Sequence, residues 1–151
     1  MKSNMSLRVR WLLIVSMKNI RLILLFLPCL GLAQHKLTVE VEGVRSSSGN
    51  INIAVYNKAD GFLKFESVFL SDSTHARAGK TEIQISNLPN GEYALAVFHD
   101  ENGNNKLDTN WLGIPKEPIG FSQAKMKTFG PPSFKECAFH ISSDKAIKID
   151  L

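Results

Sequence analysis

Little in this chain supports covalent cross-linking. Its 151 residues include two cysteines, Cys29 and Cys137, and Cys29 lies inside an apolar N-terminal stretch. If that stretch is removed, one thiol remains and no intramolecular disulfide can form. The four histidines are scattered, with no pair at helical ligand spacing, and no serine sits in a nucleophile-elbow pattern. No uninterrupted apolar run reaches the ~20 residues that span a bilayer. There is no basic cluster, basic helix or interleaved aromatic set, so nucleic acid is excluded as a partner. Internal repeats and low-complexity tracts are missing too.

Acidic residues are absent from residues 1–33, which carry five basic ones: Lys2, Arg8, Arg10, Lys18 and Arg21. From Met17 the chain reads MKNIRLILLFLPCLGLAQ, a short basic start, an apolar stretch from Ile20 to Leu32, then small residues. That pattern predicts a secretory signal peptide over 1–33, cleaved after Gly31-Leu32-Ala33. The preceding MSLRVRWLLIVS reads as an over-extended start, with Met17 as initiator. The rival reading is an uncleaved anchor in which both apolar blocks act together, and Lys18, Asn19 and Arg21 interrupt it. Pro28 before Cys29 argues against a lipoprotein signal. The membrane then matters only during export, and the destination is the periplasm, the outer surface or the extracellular space. The whole chain has 18 basic and 14 acidic residues. Without residues 1–33 the balance is 13 against 14, so the basic isoelectric point belongs to the targeting segment.

Residues 34–151 suit one domain with a modest core. Their periodicity is that of strands. LTVEVEG sets Leu37, Val39 and Val41 against polar neighbours, INIAVYN places Ile51, Ile53 and Val55 on one face, and TEIQISNL repeats the alternation. EYALAVFH is apolar on both faces, the mark of a central strand. FKECAFHIS and KAIKIDL alternate again, and ESVFLSD is a seventh candidate, while ADGFLKF suits a helical turn. Short strands divided by turns such as LPNG, without a long helical period, predict an all-β fold. The expected form is an antiparallel Ig-like or prealbumin-like β-sandwich of about seven strands with one long Pro/Gly/aromatic loop. That loop, residues 100–133, holds four of the six prolines. A loop so long inside a compact domain usually carries function or bound structure.

HDENGNNKLD, residues 99–108, is the most informative stretch of it. Counting Asp100 as the first place, side-chain oxygens of Asp100, Asn102, Asn104 and Asp108 and the carbonyl of Lys106 occupy places one, three, five, nine and seven of a calcium loop. Alternate residues of a tight curl point inward, and Gly103 and Asn105 tolerate the left-handed backbone it needs. Oxygen donors suit calcium and not zinc or copper. The twelfth place is Trp111 instead of Glu, the sixth is Asn105 instead of Gly, and no helices flank the loop. Affinity should therefore be weak, about 10⁻⁴ to 10⁻³ M, with Glu101 or Glu117 able to add an oxygen. On this reading Asp100→Ala lowers the melting temperature in calcium and not in chelator. The competing reading is an Asn-Gly turn closed by side-chain to backbone hydrogen bonds.

Three other features bear on function. His99, with Glu101 or Glu117, could serve as acid–base residues of a hydrolase. Cys137 and His140, three apart on a strand, point to opposite faces, which disfavours copper or zinc held with His99 and makes Cys137 a buried core thiol. The tract WLGIPKEPIGFSQAKMKTFGPPSF is too apolar for a solvated loop. It either covers one end or an open sheet edge, or forms a ligand or partner surface.

The motifs NLPNGEYALAVFHDENGNNKLDTNWLGIPKEPIGFS and GPPSF resemble the secreted bacterial proteins grouped as domain-of-unknown-function family twenty-one forty-one. The resemblance covers about Leu37 to Leu151 and rests on Pro89, Gly91, Tyr93 and Ala94, the 99–108 loop, the Gly113–Ser122 tract and Gly130–Phe134. Asn105 stands where the family loop more usually has Gly. The resemblance implies export and a β-sandwich and no particular activity. A shorter likeness, about ten residues, links the loop to calcium-holding turns of cell-surface Ig-like and collagen-adhesin B-type domains. The expectation is an exported, non-enzymatic, calcium-stabilised module that binds an envelope protein or a glycan, of unknown oligomeric state.

Overall fold

In the computed structural model, residues 34–151 are described, and the segment read as a signal peptide lies outside them. Eight strands and one short helix follow in chain order: β1 (Gln34–Val44), β2 (Asn50–Tyr56), β3 (Leu70–His75), β4 (Gly79–Pro89), β5 (Gly91–Asp100), β6 (Ile119–Phe121), α1 (Phe134–Cys137), β7 (Phe139–Ile141) and β8 (Lys145–Asp150). They form two sheets. One has the order β4-β1-β8, and the other has β3-β2-β5-β6 with β7 also pairing β5.

Strand alternation explains how the sheets face each other. Leu37, Val39 and Val41 of β1 are fully buried, and Glu40 and Glu42 point outward. Ile51, Ile53 and Val55 of β2 and Leu95 and Val97 of β5 meet them in one core. Burying each such side chain contributes about 1.5–3 kcal/mol. β5 is central, as its two apolar faces predict, with β2 on one side and β6 and β7 on the other.

Three expectations need correction. The sandwich is not wholly antiparallel, because β8 runs parallel to β1, with Val39 opposite Ile147. The alternation in FKECAFHIS is strand only from Phe139. Residues 134–137 form α1, where the Glu136 carboxylate accepts from the Ser133 backbone N–H at 2.8 Å and from its hydroxyl at 2.6 Å. Ser-x-x-Glu is a helix-start signal, and here it overrides the period-two pattern. Third, β6 lies within the supposed loop. Its three residues pair with Ala96–Phe98.

On the outer face of the three-stranded sheet Lys80, Glu40, Lys148 and Glu42 form a chain of ion pairs. The Lys80 ammonium, and then that of Lys148, holds the Glu40 carboxyl down at about 2 from an ordinary 4.5. A carboxyl lowered on folding stabilises the fold above its unfolded value and loses that contribution as pH falls through the folded one. Glu40→Gln should therefore flatten the decline of melting temperature between pH 4.5 and about 2. The difference should shrink in high salt. Superimposable acid limbs for the two proteins at low salt would contradict this.

Candidate functional site

β5 delivers His99 and Asp100 to opposite faces of the second sheet. His99 is fully buried on the inner side, with Nε2 2.8 Å from the Ser48 carbonyl and Nδ1 3.7 Å from a Glu101 oxygen. If Nε2–H donates to that carbonyl, Nδ1 is a buried acceptor with no hydrogen-bond partner.

Asp100, also fully buried, organises the following curl. Its Oδ1 accepts the backbone N–H groups of Gly103 at 2.8 Å and Asn104 at 3.1 Å, and its Oδ2 accepts that of Asn105 at 2.7 Å. Asn102 Oδ1 accepts from Asn104 N–H, and Asn104 Oδ1 from Lys106 N–H. Gly103 and Asn105 take the left-handed conformation that the loop needs, at φ 74° and 59°. The amide nitrogens of Asn102 and Asn104 both donate to the Asp108 carboxylate, at 2.7 and 3.1 Å. Glu117 folds back, as its place in the sequence allows, and accepts from Glu101 N–H and Asp108 N–H. It closes the curl at its base.

The five residues expected to hold calcium thus lie on one curl; the side chains of Asn102, Asn104 and Asp108 are joined by hydrogen bonds, and that of Asp100 meets the curl through its backbone N–H groups. Among the described residues, no group of three or more His, Cys, Asp or Glu side chains gathers as a metal site. A cation here would need the asparagine oxygens as well. Those oxygens are engaged with backbone N–H groups, while the amide nitrogens face Asp108. The two ends of a side-chain amide are close to the same size, and either can face a neighbour. Turning both amides over would aim four oxygens at one another, an arrangement that needs a cation. Their present 2.7 and 3.1 Å separations suit neighbouring ligands of an ion coordinated at ~2.3–2.6 Å. The side chains of Asn102, Asn104 and Asp108 lie close together, and turning their oxygens inward would give up two side-chain to backbone hydrogen bonds.

Beyond the curl, Asn110 Oδ1 accepts from Leu112 and Ile114 N–H, and Thr109 bridges Pro115. This turn holds Trp111 in solvent at 90% exposure, and Phe129 on a separate turn is 98% exposed. The aromatic tract is therefore only partly a cover. Ile119, Phe121 and Phe134 pack beside Tyr56 on the outer face of the second sheet, but Trp111, Ile114 and Phe129 do not.

What the half-cover leaves open is a cleft of about 820 Å³ on that outer face. Its floor comes from the register. Asn52, Phe98 and Ile119 form one transverse row, and Ser71, Ala54, Ala96 and Phe121 form the next. Leu63 and Phe65 wall one side, Met126 and Pro131 line it further along, and Leu107, Leu112 and Ile114 of the curl-and-turn region contribute to the lining. The volume lies within the ~300–1,000 Å³ range of small-molecule sites. Sequence reasoning did not find this cleft. The signal available was the pair of alanines at alternate, outward positions of strands whose neighbours are bulky.

The other candidates separate. Cys137, the last residue of α1, is buried, and burial pushes its thiol up to about 11. His140 is exposed, and His99 sits in the inner layer. His99 Nε2 and both Glu117 oxygens meet backbone groups, and His99 faces away from the cleft.

A family model described as an uncharacterized protein conserved in bacteria (DUF2141) matches residues 39–150. No curated protein and no solved structure matches the chain.

Proposed function

This chain belongs to that uncharacterised bacterial family, and we propose that it is an exported, non-enzymatic binding module whose ligand surface is the outer-face cleft. The curl at 100–108 would take one weakly held calcium ion through Asp100, Asn102, Asn104, the Lys106 carbonyl and Asp108. The ion would stiffen the base from which the Trp111 turn projects. The observation that supports binding is the cleft itself, concave, largely apolar and rimmed by the exposed side chains of Phe65, Leu112 and Ile114. Solvent-facing apolar side chains gathered around a concavity mark recognition sites. Export and association with the cell envelope rest on the N-terminal segment and on the family resemblance.

Trp111 is the only tryptophan among the described residues, and it adjoins the rim. Titration with Nile red, a neutral solvatochromic dye, should show saturable one-to-one binding. Trp111 emission should shift to the blue as the dye enters. Weak, unsaturable dye uptake would sink the proposal.

A further inference from the structure

We infer that the cleft takes an uncharged alkyl chain, as carried by an envelope lipid, laid across the strands in a trench over Ala54 and Ala96. This rests on the binding reading above and names its ligand class.

The trench follows from side-chain size. Ser71, Ala54 and Ala96 stand side by side on three adjacent strands, β3, β2 and β5. Neighbouring strands lie ~4.8 Å apart, so three small side chains in a row leave a depression roughly 10 Å long at right angles to the strands. Phe121 closes its far end on β6, opposite Ala96. Phe98 and Asn52 bound one long side, and Tyr56, stacked edge-on with Phe62 at 5.1 Å, bounds the other. A narrow, smooth-floored slot between larger side chains fits a flexible chain better than a sugar ring.

Charge decides the rest. Lys127 is the one cation among the described residues that line the cleft. Its ammonium is held by both oxygens of Glu136, at 2.7 and 2.8 Å. The lining also includes Asp72. A carboxylate or phosphate entering the trench would find no cation that is not already paired. A glycan would need many donors and acceptors facing its hydroxyls; Ser71 at one end and Asn52 and Tyr56 at the sides are the polar groups here, and the floor between them is alanine. The apolar floor is matched by a neutral methylene chain, which gains affinity with each CH₂ it buries.

The test uses protein purified after expression of the full chain, with n-decanol, decanoate and a cello-oligosaccharide as competitors of bound Nile red. Ala96→Phe fills the trench from a partly buried position that opens on the cleft and should leave the fold intact, as near-unchanged melting would verify. n-Decanol should displace the dye at least tenfold more strongly than decanoate, and Ala96→Phe should weaken decanol binding tenfold or more. Should Ala96→Phe perturb folding, Ala54→Val offers a smaller obstruction on the neighbouring strand with the same expected direction. Dye binding that is lost in Ala96→Phe but displaced by the oligosaccharide, or equally well by decanoate, would overturn the alkyl assignment and leave the cleft as the binding surface. Decanol binding that neither variant alters would place it outside the trench and overturn the inference. No saturable binding of dye or decanol would overturn both readings.

Discussion

Gly49→Ala is expected to cost about 3 kcal/mol or more and to lower the melting temperature by roughly 10 °C. Gly49 precedes β2 at φ +69°, and a Cβ there would fall on the Asp100 carbonyl oxygen and within 2.9 Å of its carbonyl carbon. Both partners are backbone, so no rotamer change relieves the clash. The Asp100 backbone is held in turn, because Asn50 pairs with it in the sheet and its side chain carries three loop N–H groups. Positive φ in a residue with a Cβ adds about 1–2 kcal/mol. Gly79→Ala separates the two costs. Gly79 has φ +84° and nothing within 4 Å of its would-be Cβ, so only the conformational part should appear. Equal losses at the two positions, by thermal or denaturant unfolding, would show that the packing of Gly49 against the base of the curl is not tight. The same clash should also loosen the curl, and calcium should then stabilise Gly49→Ala less than the wild type.

The second large effect concerns the ion and separates the two aspartates. Calcium at about a hundredfold excess over its dissociation constant should add about 2.7 kcal/mol by mass action, and magnesium should not. Asp108→Asn should abolish most of that gain and change little in chelator, because in the structure Asp108 side-chain oxygens meet only two amide groups of the loop. For Asp100 the hydrogen bonds lead to a different expectation from the one drawn from sequence. Its buried carboxylate accepts three backbone N–H groups irrespective of any metal, and hydrogen bonds to a charged group contribute about 1.5–3 kcal/mol each. Asp100→Ala should therefore lower stability in calcium and in chelator alike, with a further loss in calcium. An unchanged wild-type melting temperature on adding calcium, or an Asp108→Asn loss of the same size with and without it, would leave the curl as a hydrogen-bonded turn.

Much of the sandwich was legible because a strand writes its two faces into alternate residues. Leu37-Val39-Val41 and Ile51-Ile53-Val55 needed no tertiary information to be read as inward rows. The apolar pattern of 92–99 marked a central strand for the same reason. The pattern misled at 134–137, where a local signal, Ser133 with Glu136, competes with alternation and wins over one turn of helix. It missed Ile119–Phe121 altogether. Three residues are too few to show a period, and their pairing with Ala96–Phe98 depends on a chain reversal across the curl.

Local spacing determined the curl. Asp100, Asn102, Asn104 and Asp108 sit within nine residues, and short-range hydrogen bonds are enough to gather them. The backbone conformations at Gly103 and Asn105 and the approach of Asp108 to both asparagines follow from that spacing. Only the tertiary structure decided that Glu117 would spend both oxygens closing the curl, that His99 would turn inward to Ser48, and that Trp111 and Phe129 would stay in solvent. Only it decided the cleft. Ala54 and Ala96 are 42 positions apart in the sequence and become neighbours through the β2–β5 register. Each alanine alone is an unremarked small residue. A trench exists only where small side chains meet across strands, and register between distant segments is set by the whole core.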